Sequence, residues 1–278
     1  MTDIRASHVR ELRNATGAGM MDCKQALLET KGDMDEATDW LRKKGTQLAD
    51  KKAGRDADQG LVGVHVRQDD VGGVHAAIVQ VNCETDFVAK NEVFQQFVSS
   101  CAKRLTMTTA YDDLKSEVPE LVAKVGENIK MQEFPEQITT GVGGIVSSYV
   151  HNKVADDLGT IGVLVTMVGN GTPTVAQHDI GVDIAMHIAA TNPQAVDEDS
   201  LDAEWLAHER KIFAEQAAES GKPEAIIEKM VDGKMKKVIR ENTLVHQPFV
   251  KNTERTVADI LSENNLKIIN FSRFAIGE

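Results

Sequence analysis

Val81-Asn82-Cys83-Glu84-Thr85-Asp86-Phe87-Val88-Ala89-Lys90-Asn91 joins two sequence patterns of different period. Upstream, Gly73-Val74-His75-Ala76-Ala77-Ile78-Val79-Gln80-Val81 is an apolar, β-branched run of strand length. Downstream, Val93, Phe94, Phe97, Val98, Cys101 and Leu105 recur at helical spacing. Thr85-Asp86-Phe87 therefore lies at a strand-to-helix connection. It sets a phenylalanine beside a carboxylate and carries no glycine to let phosphates approach the backbone. Two readings stand at this point. In one, Thr85 or Asp86 caps a helical turn while Phe87 packs inward; in the other, the loop is built to insert into a partner.

The 278 residues suggest two or so compact units, and 41% hydrophobic content supports a sizeable core. A formal charge of -12, with no long Lys/Arg block to offset it, repels phosphate backbones and anionic bilayers. The expected partner is a protein, with no direct nucleic acid and no membrane. Met1-Thr2-Asp3-Ile4-Arg5 lacks a signal-peptide core, and no run of about 18 apolar residues is present, which predicts a cytoplasmic protein. Cys23, Cys83 and Cys101 form no C-x-x-C pair and sit in apolar patterns, so buried free thiols are expected.

Residues 1 to about 45 read as three short helices. The first holds Val9, Leu12 and Arg13 and stops near Thr16-Gly17. The second runs from about Met20 to Thr30, with Cys23, Ala26 and Leu27 on one face. The third starts at an Asp33/Glu36 capping pattern and is closed by Gly45. Adjacent Met20 and Met21 point about 100° apart on a helix, so they are core in part and one is a contact residue. Lys51 to Gly60 reads as a linker. Leu61 to Arg67 alternates into a hairpin with the following strand through Asp69-Asp70-Val71-Gly72-Gly73. One helical pattern, Leu114 to Val125, ends at Gly126, and Ile129 to Phe134 suggests a strand.

A second strand, strand, helix series follows: Gly143 to His151, Ile161 to Val168, then a helix with Thr172-Pro173 as N-cap and N1 that carries Ile180, Ile184, His187 and Ile188. Between about Asp199 and Ile239, two charged helices flank Ser220-Gly221-Lys222-Pro223 as an antiparallel hairpin. A short helix, Thr256 to Asn265, and a strand, Lys267 to Ile276, complete the second sheet. The fold class expected is α+β: a helical unit and linker over 1–55, one α+β subdomain over 56–144, and a related one over 145–278. The sheets are antiparallel and the hairpin is an insertion at about 192–239.

Chemistry is sparse. No G-x-x-x-x-G-K-[ST], G-x-G-x-x-G or G-x-S-x-G pattern occurs, and Gly141-Val142-Gly143-Gly144 lacks both the lysine and the helix of a nucleotide loop. His65, His75, His151, His178, His187 and Glu84 offer ligand types without ligand spacing. The chain is not expected to be an enzyme or to hold a cofactor or metal.

Two long stretches carry a family resemblance. Thr16-Gly17-Ala18-Gly19-Met20-Met21-Asp22-Cys23-Lys24-Gln25-Ala26-Leu27 and Asn82-Cys83-Glu84-Thr85-Asp86-Phe87-Val88-Ala89-Lys90 closely resemble the two signature regions of bacterial translation elongation factor Ts. The similarity continues through 123–129, 184–189, Ser220-Gly221-Lys222-Pro223 and Gln247-Pro248-Phe249-Val250, nearly the whole chain.

The resemblance implies a guanine nucleotide exchange factor that binds elongation factor Tu, both GDP-bound and nucleotide-free, during translation elongation. It implies a ubiquitin-associated-like amino-terminal bundle that docks through Arg13, Met20, Met21 and Lys24. The loop Thr85, Asp86, Phe87 and Val88 would dislocate the partner's Mg²⁺, with Phe87 as an apolar wedge and Asp86 as a competing charge. Val125, Gly126 and His151 are implied as further contacts, and the hairpin as an interaction or homodimerisation arm. The sequence departs from the pattern in two places. The 152–160 connection is longer than in some relatives, and the chain ends at Glu278, where some members continue into a carboxy-terminal helix. A protein-binding adaptor without exchange activity, resting on residues 1–45, and a small-molecule enzyme using His151 or His187 are the alternatives.

Overall fold

The computed structural model describes residues 4–107, 111–132 and 135–278. Helices α1 (Ala6–Thr16), α2 (Met20–Glu29) and α3 (Met34–Lys52) pack around Leu12, Cys23, Ala26, Leu27 and Ala37. Gly17 ends α1 in the left-handed region at φ 69°, where a side chain would be strained. Asp33 caps α3 by accepting the N–H groups of Asp35 and Glu36 at 3.0 and 2.9 Å.

Gly45 does not close that helix. It is buried in the middle of α3, where an added Cβ would stand 2.9 Å from the Pro119 carbonyl oxygen. A helix-interior glycine costs about 1 kcal/mol in propensity, so here it marks close backbone approach and not a stop. The helix continues to Lys52, and the first residues of the expected linker are helical.

Strands β1 (Gln59–Gln68) and β2 (Val74–Cys83) form an antiparallel hairpin with Val64 opposite Ile78. After β2 come α4 (Asp86–Ala89) and α5 (Glu92–Leu105), and α5 buries Phe94, Val98, Cys101 and Leu105. The expected helix from Leu114 to Val125 is two: α6 (Tyr111–Lys115) and α7 (Val118–Val125). Pro119 sits in the first turn of α7, where its missing N–H costs nothing. β3 (Ile129–Met131) and β4 (Glu136–Thr140) share one edge of β2, at Val81–Cys83 and Val74–Ile78 respectively. The strand expected to reach Phe134 ends at Met131, and Phe134 itself lies outside the described residues.

The second sheet has the order β10-β7-β5, from β5 (Gly144–His151), β7 (Ile161–Gly169) and β10 (Leu266–Ala275). Between β5 and β7, β6 (Leu158–Gly159) crosses to the first sheet and pairs with Val62 and Gly63 of β1. The long 152–160 connection thus covers an edge that would otherwise expose unpaired backbone. Helix α8 (Val175–Thr191) is capped by Thr174, not Thr172. The Thr174 hydroxyl accepts the Gln177 N–H at 3.3 Å, and Gln177 Oε1 accepts the Thr174 N–H at 3.1 Å. That reciprocal box leaves Pro173 outside the helix. α9 (Ala203–Ala218) and α10 (Glu224–Asn242) meet along a small apolar seam of Ala217, Val231 and Met235. A two-stranded ribbon, β8 (Pro248–Phe249) with β9 (Asn252–Thr256), and α11 (Val257–Glu263) lead into β10.

The fold is α+β with antiparallel sheets. Val62, Val64 and Ile78 of the first sheet meet Val146, Val150 and Leu164 of the second, while α5 and α7 cover the outer face of one sheet and α8 and α11 that of the other. β1 over residues 60–64 and β7 over residues 162–167 are therefore buried on both faces, while the second half of β1 alternates Val64 and Val66 with the half-buried His65 and Arg67. At Gly162 the sheets approach closely, since a Cβ there would fall 2.5 Å from Val62 Cγ1.

Candidate functional site

At the strand-to-helix connection the structure shows the expected cap but not the inward phenylalanine. Thr85 is the N-cap of α4, its hydroxyl accepting the Val88 N–H at 3.4 Å. Phe87 does not pack inward: it is 80% exposed, while Val88 and Ala89 beside it are buried. Burying a phenylalanine is worth about 1.5–3 kcal/mol, so a side chain left in water beside buried neighbours is held out by its backbone.

Several contacts fix that backbone. The Thr85 N–H and hydroxyl donate to the Glu127 carboxylate at 3.0 and 2.6 Å. The Cys83 thiol donates to the Thr85 carbonyl at 3.1 Å. Glu84 Oε1 accepts the Asn128 N–H at 2.6 Å and lies 3.5 Å from Arg55. The Asn128 amide and the Arg55 guanidinium hold the Glu84 carboxyl below the usual carboxylate range. Asp86 pairs with Lys90 at 2.7 Å, both exposed, and this bond lowers the Asp86 pKa.

Val125 and Gly126 lie directly before Glu127 and Asn128, so the structure brings them together with the loop. Gly126 caps α7 at φ 77°. Its carbonyl accepts Lys52 Nζ at 2.5 Å, and Asn128 Nδ2 donates to the Arg55 carbonyl at 2.7 Å. The end of α3 is thus tied to the same corner. Arg13, Met20, Met21 and Lys24 are all exposed. Met20 and Met21, expected to be core in part, are 46% and 75% exposed, because Cys23, Ala26 and Leu27 fill the inward face of α2. Leu28, 54% exposed, extends the Met21–Lys24 row by one turn; its i, i+4 spacing from Lys24 was the available signal.

His151, at the end of β5, is exposed and stacks on Tyr149, whose hydroxyl lies 3.1 Å from its Nδ1. His187 is fully buried with both ring nitrogens engaged, by Gln247 Oε1 at 2.9 Å and the Val250 N–H at 3.3 Å. Gly141 to Gly144 turns between β4 and β5 on an open groove of about 760 Å³ that is lined by no Lys or Arg among the described residues. Among the described residues no group of three or more His, Cys, Asp and Glu is placed to hold a metal ion, and no helix is long and apolar enough to cross a membrane.

The family model described as elongation factor TS matches residues 84–278. The chain belongs to the elongation factor Ts family. Elongation factor Ts of Mesorhizobium japonicum is 45% identical over 296 residues, covering 99% of this chain and 93% of that protein. The Bartonella henselae and Gluconobacter oxydans proteins of the same name are 44% and 43% identical, covering 99% and 100% of this chain and 93% of their own lengths. The elongation factor Ts match opens at Glu84 and takes in the loop, Val125, Gly126 and His151. Arg13, Met20, Met21 and Lys24 lie before it, inside the region shared with the full-length relatives.

Proposed function

We propose that Thr85, Asp86, Phe87 and Val88 form the element by which this chain dislocates Mg²⁺ from its partner. As a member of the elongation factor Ts family, the chain is a guanine nucleotide exchange factor that promotes GDP release from elongation factor Tu and so allows GTP to rebind in translation elongation. The observation that carries the role of the loop is Phe87, 80% exposed on a backbone fixed by Thr85 and Glu127. A rigid aromatic entering the partner displaces side chains there without first being ordered. Asp86 adds a negative charge close to Mg²⁺ and the phosphates. Its pair with Lys90 is exposed, so it is given up at small cost.

No covalent step is needed, because GDP is held by Mg²⁺ and backbone amides, and a binder that disfavours that geometry weakens GDP by its own differential affinity. The remaining roles follow the family. Residues 1–55 are a ubiquitin-associated-like docking unit using Arg13, Met20, Met21 and Lys24. Residues 56–144 carry the loop with Val125 and Gly126, and residues 145–278 carry His151 and, at about 192–239, an antiparallel arm for interaction or homodimerisation. The exchange factor works in the cytoplasm and consumes no cofactor of its own.

The test is stopped-flow release of a fluorescent GDP analogue from elongation factor Tu, with the wild-type chain and the Asp86→Ala and Phe87→Ala variants. Release should accelerate by orders of magnitude with wild type and by far less with Phe87→Ala, whose unfolding midpoint stays at the wild-type value because the ring is exposed. If Phe87→Ala accelerates release as well as wild type, the loop is not the dislocating element. If the wild type binds without accelerating release, the chain is an adaptor.

A further inference from the structure

We propose that Glu127 is the positioning residue of the exchange loop, an inference that rests on the role given above to Phe87. Two pairs of consecutive residues cross over each other. The side chain of Glu84 takes the backbone N–H of Asn128, and the side chain of Glu127 takes the backbone N–H of Thr85. Directly behind them Cys83 faces Ile129 in the β2–β3 ladder. The loop and the 125–128 turn therefore move as one piece.

Within that crossing Glu127 does what no other residue type can. Thr85 presents two donors, its N–H at 3.0 Å from Oε2 and its hydroxyl at 2.6 Å from Oε1, and only a carboxylate offers two acceptors spaced for both. Accepting the hydroxyl's hydrogen bond also leaves the hydroxyl lone pairs turned toward the Val88 N–H, the capping bond that starts α4. The α4 turn is only four residues long, too short to hold its own direction. Phe87 is its second residue, so the direction of the wedge is set at Thr85, and the setting of Thr85 comes from a carboxylate 42 residues away. Glutamine offers one acceptor and sets an NH₂ against a donor; aspartate is one methylene short.

The exchange factor is tested whole, with Glu127→Gln and Thr85→Val. Release of the GDP analogue is followed to saturation, giving a maximal rate and a half-saturating concentration. With Phe87 still present but mis-aimed, Glu127→Gln should lower the maximal rate about tenfold while moving the half-saturating concentration by less than about twofold, as expected for an interaction used only in the displacement step. Thr85→Val should do the same, and the double variant should be no worse than either single one, since both remove one coupling. Amide exchange of Val88 and Ala89 should quicken in Glu127→Gln with the core unchanged. A wild-type maximal rate in Glu127→Gln, or additive losses in the double variant, overturns the proposal while leaving the exchange reading intact. Absence of acceleration by the wild-type chain overturns the exchange reading itself. Should Glu127→Gln fail to fold, Thr85→Val decides by the same maximal rate.

Discussion

Gly45 of α3 lies against the carbonyl oxygen of Pro119 in α7, with space for a hydrogen and not for a methyl: an added Cβ would stand 2.9 Å from that oxygen. The close approach joins the first three helices to the layer that covers the sheet from which the 84–88 loop emerges. Helix propensity favours Ala over Gly by about 1 kcal/mol, but overpacking against backbone costs about 1–3 kcal/mol. Gly45→Ala should therefore be neutral to destabilising by up to about 2 kcal/mol. Gly233 in α10 has nothing within 4 Å of an added Cβ. Gly233→Ala should gain about 0.5–1 kcal/mol. Urea unfolding of the two variants side by side checks the difference in sign.

The buried His187 makes stability depend on pH. Burial pushes its pKa below the ordinary imidazole value, against a smaller opposing effect of the Gln247 bond. The neutral ring donates from Nε2 to Gln247 and accepts the Val250 N–H at Nδ1; a proton on Nδ1 would face that N–H. Below about pH 6.5 the unfolded chain binds a proton that the folded chain refuses, so stability is full above that pH and falls as pH drops toward the folded-state pKa. Denaturant midpoints of wild type at pH 7.5 and 5.5 should differ more than those of His187→Gln, although the variant is less stable at both.

The three thiols should be silent in the native chain. Burial raises the pKa of Cys23, and it pushes Cys83 and Cys101 up to about 12. The thiolate is the reactive form, so a disulfide reagent at pH 8 should titrate close to none of them until denaturant is added. Rapid reaction of Cys83 in the folded chain would mean that the loop beside it opens.

Lys90 is expected to be dispensable for folding. Its pair with Asp86 is exposed and one turn apart, so Lys90→Ala should leave the unfolding midpoint where it is. Removing the cation leaves Asp86 uncompensated, and the same variant should release GDP from elongation factor Tu faster than wild type at low salt, with the difference fading as salt screens it.

The loop was legible because its signals are local. A strand period, a helical period and a Thr-x-x cap between them locate 81–91 without any distant residue. Phe87 was legible only as a choice between packing and insertion, since exposure depends on whether Val88 and Ala89 fill the space beneath it. Glu127 lies within the 123–129 stretch of the family resemblance, yet its contact with Thr85 has no local signal, because the strand register that brings Ile129 opposite Cys83 decides it. Gly45 shows the opposite failure: a strong local stop signal was overruled by a neighbour 74 positions along the chain, at Pro119. Likewise β6 is two residues in a polar connection, given a strand's role only by the free edge of β1.

As an exchange factor, this chain and GDP disfavour one another on elongation factor Tu. Coupling of this kind is reciprocal, so it is measured most directly as the affinity of the chain for elongation factor Tu with GDP·Mg²⁺ bound and with no nucleotide bound, by calorimetric titration at one salt concentration. Binding to the nucleotide-free form should be tighter by at least about tenfold, or about 1.4 kcal/mol, with most of that difference lost in Phe87→Ala. Equal affinity for the two forms would mean that no such coupling exists, since a binder that does not distinguish them shifts no equilibrium between them.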